Sequence, residues 1–179
     1  PETFGAEAYN PKNWRMSPMI RLLQFTDTHL LADPAGTVRG VRTQASLEAC
    51  LAHARRRHMP ADIIAVTGDL VQDDPRAYGT LELLFDSLGA PVLLIPGNHD
   101  VPAELERRFA HAPFQVGGTR VQGNWAIVML ASWYANAQDG EGQLGLSELA
   151  RLEAALDEAI AAGVGGVTIF ASGYLENDA

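Results

Sequence analysis

Three apolar segments of this chain are each followed at once by polar residues or glycine, and this arrangement constrains the fold most strongly. The segments run from Met19 to Thr26, from Asp62 to Thr67 and from Val92 to Ile95. Each is short enough for a strand, and the last two are nearly continuous in their apolar residues, which is typical of strands covered on both faces. We therefore expect three buried strands whose ends carry polar side chains.

Between these segments the apolar residues repeat with helical spacing. A first helix is predicted from Thr43, as its N-terminal cap, to about His58, and a second from Tyr78 to Leu88. Crossovers of this length permit parallel pairing, so the pattern predicts an α/β fold with a parallel sheet.

In the second half of the chain, the apolar spacing and the turn residues predict further helices and strands. A short helix is expected after Pro102, strands over 115–123 and 125–131, and a final strand from Val167 to Ala171. A long helix is predicted from a cap at Ser147 to a stop at Gly163. Its apolar face consists of Leu149, Leu152, Leu156 and Ile160.

Polar residues follow each of the first three strands. They are Asp27-Thr28-His29, Gly68-Asp69 and Gly97-Asn98-His99-Asp100. In open parallel sheets, ligands bind beyond the carboxyl ends of the strands, so these segments are expected to meet. Asp27 and His29 alternate along an extended chain, which predicts that their side chains point the same way.

The residue types in these segments suit a metal centre. A carboxylate such as Asp69 has two oxygens and can bridge two cations. Oxygen and imidazole ligands together favour manganese, iron or zinc, and two such ions suit in-line displacement at phosphorus. Each segment alone has an ordinary explanation, as a turn, a helix cap or a left-handed loop residue. The functional interpretation depends on finding all three in order.

These segments carry a resemblance to a known family. Asp-x-His at 27–29, Gly-Asp at 68–69 and Gly-Asn-His-Asp at 97–100 are similar to the motifs of the calcineurin-like metallophosphoesterases. Within that superfamily the chain most resembles the class III cyclic-nucleotide phosphodiesterases, which act on 3′,5′-cyclic AMP. The resemblance covers about residues 19–167. It implies an α/β fold, a metallophosphoesterase-like αββα sandwich, incomplete at the C-terminal side.

The resemblance also implies the metal ligands. Asp27 and His29 would bind one divalent ion, Asp69 would bridge two, and Asn98 would bind the second. Manganese or iron is the expected metal, with zinc as an alternative.

The implied reaction is hydrolysis of a small phosphodiester or cyclic nucleotide by metal-bound hydroxide. His99 would donate a proton to the leaving group rather than bind metal, and Asp100 would orient His99.

The family pattern continues with later histidines, in His-His-Pro and Gly-His-x-His segments, that this chain does not show. The second metal site is therefore expected to be weak or empty. The remaining histidines are not expected to substitute: His53 and His58 are interpreted as surface or partly buried helix residues, and His111 is left open as a ligand. The alternative to an enzyme is a truncated, catalytically impaired scaffold that acts through association, with a homodimer covering exposed sheet surface.

Residues 1–15 show no periodicity and are interpreted as an N-terminal extension outside the fold, which leaves 16–179 as one partial domain. The formal net charge of −9 argues against nucleic acid as a main partner. Cys50 is the single cysteine and is expected to be a small buried hydrophobe. No apolar stretch is long enough to span a membrane, and a cytoplasmic location is expected.

Overall fold

The computed structural model describes residues 19–132 and 142–172. The predicted extension over 1–15 therefore lies outside the described residues. The strands are β1 (Leu22–Phe25), β2 (Ile63–Thr67), β3 (Val92–Ile95), β4 (Phe114–Val116), β5 (Gly118–Gln122), β6 (Trp125–Ala131) and β7 (Gly166–Ser172). The helices are α1 (Thr43–Arg57), α2 (Tyr78–Asp86), α3 (Pro102–Arg108) and α4 (Leu146–Ala161), with a 3-10 turn over Pro75–Ala77 before α2.

The first sheet is parallel throughout and has the strand order β1-β2-β3-β4. Its register pairs Phe25 with Val66, and Val66 with Leu94. The last residues of the three strands therefore lie side by side, as the sequence predicted. This confirms the parallel α/β arrangement.

Both faces of β2 and β3 are buried, which accounts for their continuous apolar sequences. The prediction of a buried first strand is wrong, because β1 lies at the edge of the sheet and is only partly buried, with Gln24 exposed. Alternate residues such as Ile64, Val66 and Leu94 face α1, α2 and α3 in the larger core. The intervening residues, such as Ala65 and Leu93, belong to a second core instead.

The second sheet has the order β5-β6-β7, with β5 antiparallel to β6 and β7 parallel to it. Ile127 and Met129 of β6 complete the second core, so the two sheets pack face to face. Val128 and Leu130 point the other way, against Ala155 of α4. The layers are thus helices, first sheet, second sheet and helix, which is the predicted αββα sandwich.

The single strand predicted over 115–123 is wrong, because the chain changes sheets within it. Gly117 and Gly118 have φ of +62° and +80°, a backbone conformation that glycine adopts without steric cost. The residues before Gly117 form β4 in the first sheet, and Gly118 begins β5 in the second.

Two helix starts also differ from the predictions. Thr43 is the first helical residue of α1, preceded by Arg42, and α4 begins after Gly145 rather than at a Ser147 cap. Neither N-terminus has a capping side-chain hydrogen bond. The predicted end of α4 is confirmed, since Gly163 follows it with φ of +63° and donates its N–H to the carbonyl of Ile160.

The apolar face predicted for α4 is largely uncovered among the described residues. Its buried residues are Ala155 and Ala159, whereas Leu149, Leu156 and Ile160 are exposed. The small alanines let the helix lie close to β6, and the larger side chains fall beside this contact.

Cys50 is exposed rather than buried, so that prediction is wrong. The buried residues of α1 are Leu47, Leu51 and Ala54, and Cys50 lies at the edge of their face, where a cavity separates it from the loop before the helix. No helix within 19–132 and 142–172 is long and apolar enough to cross a membrane.

Candidate metal centre

The loops after β1 and β2 run side by side and continue the parallel pairing. The N–H groups of Asp27, His29 and Leu30 donate to the carbonyls of residues 68, 69 and 70 at 3.1, 2.8 and 3.1 Å. These hydrogen bonds hold the Asp27–His29 segment directly against Asp69, so that the loop backbone brings their side chains together.

Several residues in these loops adopt a backbone conformation that is unfavourable for side-chain-bearing residues. Asp27, His29 and Asp69 have φ of +53°, +42° and +48°. Each residue in this left-handed conformation lowers the stability of the fold by roughly 1–2 kcal/mol. Such residues cluster at functional sites. The side chains of Asp27 and His29 therefore converge by loop turns beyond the strand, and not by the strand alternation that the sequence suggested.

The loop after β3 packs directly on Asp69. A Cβ on Gly97 would lie 2.2 Å from Asp69 Oδ1 and 2.3 Å from its backbone nitrogen, so only glycine fits there. The backbone N–H of His99 donates to Asp69 Oδ1 at 3.1 Å. Asp69 is buried and is thereby fixed between the first and third polar segments.

The three segments bring potential metal-binding atoms together. One ligand atom each from His29, Asp69 and His99 lies within 4.8 Å of the others. His29 Nε2 is 3.8 Å from Asp69 Oδ2 and 4.0 Å from Asp27 Oδ1. These separations are long for hydrogen bonds but suit ligands that share one cation, with bonds of about 2.0–2.2 Å each.

The local chemistry fits a metal ion. His29 Nε2 faces the carboxylates of Asp27 and Asp69, while Nδ1 of the same ring is buried without a hydrogen-bond partner among the described residues. Asp27 is exposed toward the same space, and Asn98 is exposed in the turn beside His99. Carboxylate, amide and imidazole groups together suit manganese, iron or zinc.

The imidazole of His99 is held by residues that sequence reasoning missed. Its Nδ1 lies 3.0 Å from Asp73 Oδ1 and 2.9 Å from the amide nitrogen of Gln72. Burial alone would raise the pKa of Asp73, but hydrogen bonds from His99 and Gln72 outweigh it and lower that pKa. The only available signal was that Asp73 follows Asp69 by four residues in the same loop.

Asp100 is placed differently from the predicted orienting role. Its carboxylate accepts the backbone N–H groups of Leu70, Val71 and Gly97 and the hydroxyl of Tyr78. It therefore ties the loop after β2 to the loop after β3 and positions His99 through the main chain. The carboxylate at the ring itself is that of Asp73.

The electrostatics of Asp100 follow from its burial. Burial raises its pKa and the nearby Asp69 adds to this, while the hydrogen bonds from Gly97, Leu70 and Tyr78 oppose it. The pKa of the Tyr78 phenol is also raised, by burial and then by the charge of Asp100.

The other histidines lie away from this cluster. His111 Nε2 is 3.0 Å from Glu82 Oε1 on α2, so it is not brought to the centre. His53 and His58 are exposed, as predicted, but their rings approach to 5.5 Å because His58 lies just past the end of the helix.

Comparisons with known proteins agree with this geometry. A sequence model of the calcineurin-like phosphoesterases matches residues 20–152. The 3′,5′-cyclic adenosine monophosphate phosphodiesterase CpdA of Haemophilus influenzae is 33% identical over 126 residues, covering 69% of this chain and 46% of that protein. CpdA of Escherichia coli K12 is 34% identical over 124 residues, covering 68% and 45%. The chain thus spans slightly less than half the length of these curated relatives.

Solved structures share the fold at low sequence identity. A dimetal phosphatase from Danio rerio superimposes with a TM-score of 0.59 at 13% identity, covering 85% of this chain and 69% of that one. A protein from Thermus thermophilus gives a TM-score of 0.55 at 18% identity, covering 78% and 64%. With the match over most of its length and the motif residues gathered at the strand ends, the chain belongs to the calcineurin-like phosphoesterase family.

Proposed function

We propose that this chain carries the phosphodiesterase chemistry of its family and that its substrates are 3′,5′-cyclic nucleotides. The observation that carries the proposal is the convergence of His29, Asp69 and His99 within 4.8 Å at the ends of adjacent parallel strands. Relatives at 33% and 34% identity are named as cyclic AMP phosphodiesterases, which supports the substrate class.

The metal-binding roles follow from the placement of the side chains. Asp27 and His29 would hold one divalent ion, Asp69 would bridge to a second, and Asn98 would contribute to that second site. Manganese or iron is the metal we expect, with zinc as the alternative. Two such ions supply a nucleophilic water at neutral pH and offset the charge that develops on the phosphoryl oxygens.

Asp69 is suited to the bridging role by its surroundings. Its Oδ1 accepts the N–H of His99, while its Oδ2 faces His29. The carboxylate is buried, and the loop at Gly97 packs closely against it. Each oxygen thus points to a different polar segment.

His99 is proposed as the proton donor to the leaving oxygen. A carboxylate can only accept, so a hydrogen bond to Asp73 requires a proton on Nδ1, and Nε2 can donate a second proton only when the ring is the imidazolium. An imidazolium held by a carboxylate in this way would give its Nε2 proton to the leaving oxygen and be reprotonated from solvent.

The direct test is hydrolysis of bis(4-nitrophenyl) phosphate in excess Mn²⁺, beside an Asp69→Asn variant. We expect turnover by the unmodified chain and background rates from the variant, with both folded by circular dichroism. Folded chain that binds Mn²⁺ but gives no turnover would overturn the enzymatic proposal.

One observation favours a second candidate, a scaffold that acts through association. Val167 and Ile169 of β7 remain 36% and 47% exposed in the part of the chain that the structure describes. A second copy of the chain could bury this strip. Sedimentation equilibrium over a range of concentrations distinguishes the candidates, because a scaffold of this kind predicts self-association that Ile169→Lys abolishes.

A further inference from the structure

A cavity of about 610 Å³ opens beside the metal-binding side chains. Asp27, His29 and His99 bound one part of it, and the first half of α1 with the loop before that helix bounds another. One continuous space touches both regions. A phosphoester whose phosphorus lies at the imidazoles would therefore extend its organic group into the space toward α1.

The lining near α1 combines carbon surface with hydroxyl groups. The apolar contribution comes from Phe25, Val38, Val41 and Leu47. Thr43 and Ser46, at the start of α1, add hydroxyls that can donate or accept hydrogen bonds. Apolar walls with a few polar groups are the usual lining of sites for small organic ligands, which occupy about 300–1,000 Å³. Inorganic phosphate alone needs much less.

A tight hairpin forms the outer part of this lining. Val38 and Val41 exchange two backbone hydrogen bonds, at 3.0 and 2.9 Å, across Arg39 and Gly40. Arg39 and Gly40 both have positive φ, +49° and +81°, as a two-residue type I′ turn requires.

Arginine is a poor choice for the first position of this turn, where asparagine, aspartate or glycine is preferred. The turn therefore does not explain the residue type at position 39. Arg39 lines the same cavity as the two imidazoles and brings a positively charged residue to it. A cation there suits an anionic substrate, and it offsets the acidic balance of the chain.

We propose that this cavity binds the nucleoside part of the substrate, with the base against Phe25, Val38 and Leu47 and with Arg39 facing the phosphoryl charge. The hairpin over 38–41 and the first half of α1 then determine which phosphodiesters are accepted. The placement of the phosphoryl group at the imidazoles rests on the proposed phosphodiesterase function. Nucleoside binding itself can be measured without turnover.

Alkylation of Cys50 reports directly on whether a ligand occupies the cavity. It is exposed, lines the same cavity and is the only cysteine of the chain. We would follow its alkylation by N-ethylmaleimide in Mn²⁺ with no addition, with 5′-AMP or with inorganic phosphate. The proposal predicts that 5′-AMP slows alkylation at least fivefold and that phosphate at the same concentration does not.

Two matched variants on α1 locate the effect. Ser46→Trp fills the cavity and should abolish the difference made by 5′-AMP. Ala45→Trp places the same side chain at an exposed position of α1 that does not line the cavity, and should leave protection unchanged.

Arg39→Asn provides a second test of nucleoside binding if the Ser46→Trp variant does not fold. It creates an Asn-Gly turn, which suits this hairpin, so the melting temperature should hold or rise. The 5′-AMP concentration needed for protection should increase about tenfold, as expected for the loss of one charge-assisted contact.

The outcomes separate this proposal from the proposed function. Protection by 5′-AMP that Ser46→Trp or Arg39→Asn weakens supports nucleoside binding, even if the chain hydrolyses no phosphodiester. Equal protection by phosphate and 5′-AMP overturns it. So does the absence of protection in protein that hydrolyses bis(4-nitrophenyl) phosphate, a result that would leave the enzymatic function intact.

Discussion

The two sheets of this molecule differ in how completely they are covered. Every residue of β2 and β3 in the first sheet is buried, between the helices on one side and the second sheet on the other. In the second sheet, Val128 of β6 is buried under α4, but its neighbour Ile169 on β7 is 47% exposed. Cross-strand neighbours share a face, so the helix covers one strand and leaves the next open among the described residues.

The difference shows what positions the metal-binding residues. All the converging side chains follow strands of the first sheet, whose strands β2 and β3 cannot shift without disturbing packing on both faces. A rigid, well-packed support is what a site needs to hold ligands within fractions of an ångström. The second sheet acts as a packing layer behind β2 and β3.

The largest expected effect is on the free energy of unfolding. One alanine substitution in each sheet compares the two sheets directly. Leu93→Ala removes a buried side chain between the sheets and should cost about 2–5 kcal/mol of unfolding free energy. Ile169→Ala, on the open strand, should cost about 1 kcal/mol or less. Urea unfolding monitored by circular dichroism measures both. Equal losses would mean that β7 is covered in solution, and the comparison between the sheets would fail.

A second prediction concerns the close contact at the end of the first sheet. Gly97→Ala would place a methyl group 2.2 Å from Asp69 Oδ1, so Asp69 must move. Displacement of a ligand by about 1 Å costs on the order of 100-fold in rate, and we expect that loss in phosphodiester hydrolysis together with weaker Mn²⁺ binding by calorimetry.

Gly79→Ala is the matched control for this substitution. Its Cβ would meet only the end of the Arg108 side chain, at 3.3 Å, so activity should be unchanged. Unchanged Mn²⁺ binding in Gly97→Ala would show that the loop after β3 does not fix Asp69.

A third prediction separates positioning of His99 from metal binding. Asp73→Asn removes the carboxylate that faces His99 Nδ1 and should lower kcat about 10–100-fold, the usual cost of losing such a partner. Mn²⁺ affinity should change little, and the pH dependence of kcat should shift. Adjacent Asp74 instead binds Arg76 and caps the 3-10 turn, a role that asparagine also fills. A loss of the same size in Asp74→Asn would contradict the assignment to Asp73.

Much of the first sheet could be predicted from sequence because its signals are local. Continuous apolar segments indicate strands with two buried faces, and helical crossovers make those strands parallel. Parallel topology then places Asp27, Asp69 and His99 at one edge without any knowledge of side-chain geometry.

The remaining features depend on tertiary contacts that leave little local signal. The change of sheets at Gly117 and Gly118 is a backbone event within one polar stretch. The exposure of Cys50 depends on a cavity formed with the hairpin over 38–41. The role of Asp73 depends on where the loop after β3 places His99. The open face of α4 likewise depends on small alanines packing on β6, whereas the leucine pattern alone favoured a broader contact.

The smallest expected effect is on the pH dependence of the melting temperature, and it concerns His111, between α3 and β4. The pKa of His111 is raised, first by its hydrogen bond to the Ala112 carbonyl and also by Glu82, while desolvation opposes the shift. Asp86 adds a negative charge, and Arg108 shares Glu82. A raised folded-state pKa means that this histidine adds stability below its unfolded pKa of about 6.5 and loses that contribution as the pH rises through its folded value. The melting temperature of the unmodified chain should therefore fall slightly more between pH 6 and 8 than that of His111→Gln, in which position 111 does not titrate. Parallel profiles for the two proteins would show that this exposed contact contributes nothing to the pH dependence of stability.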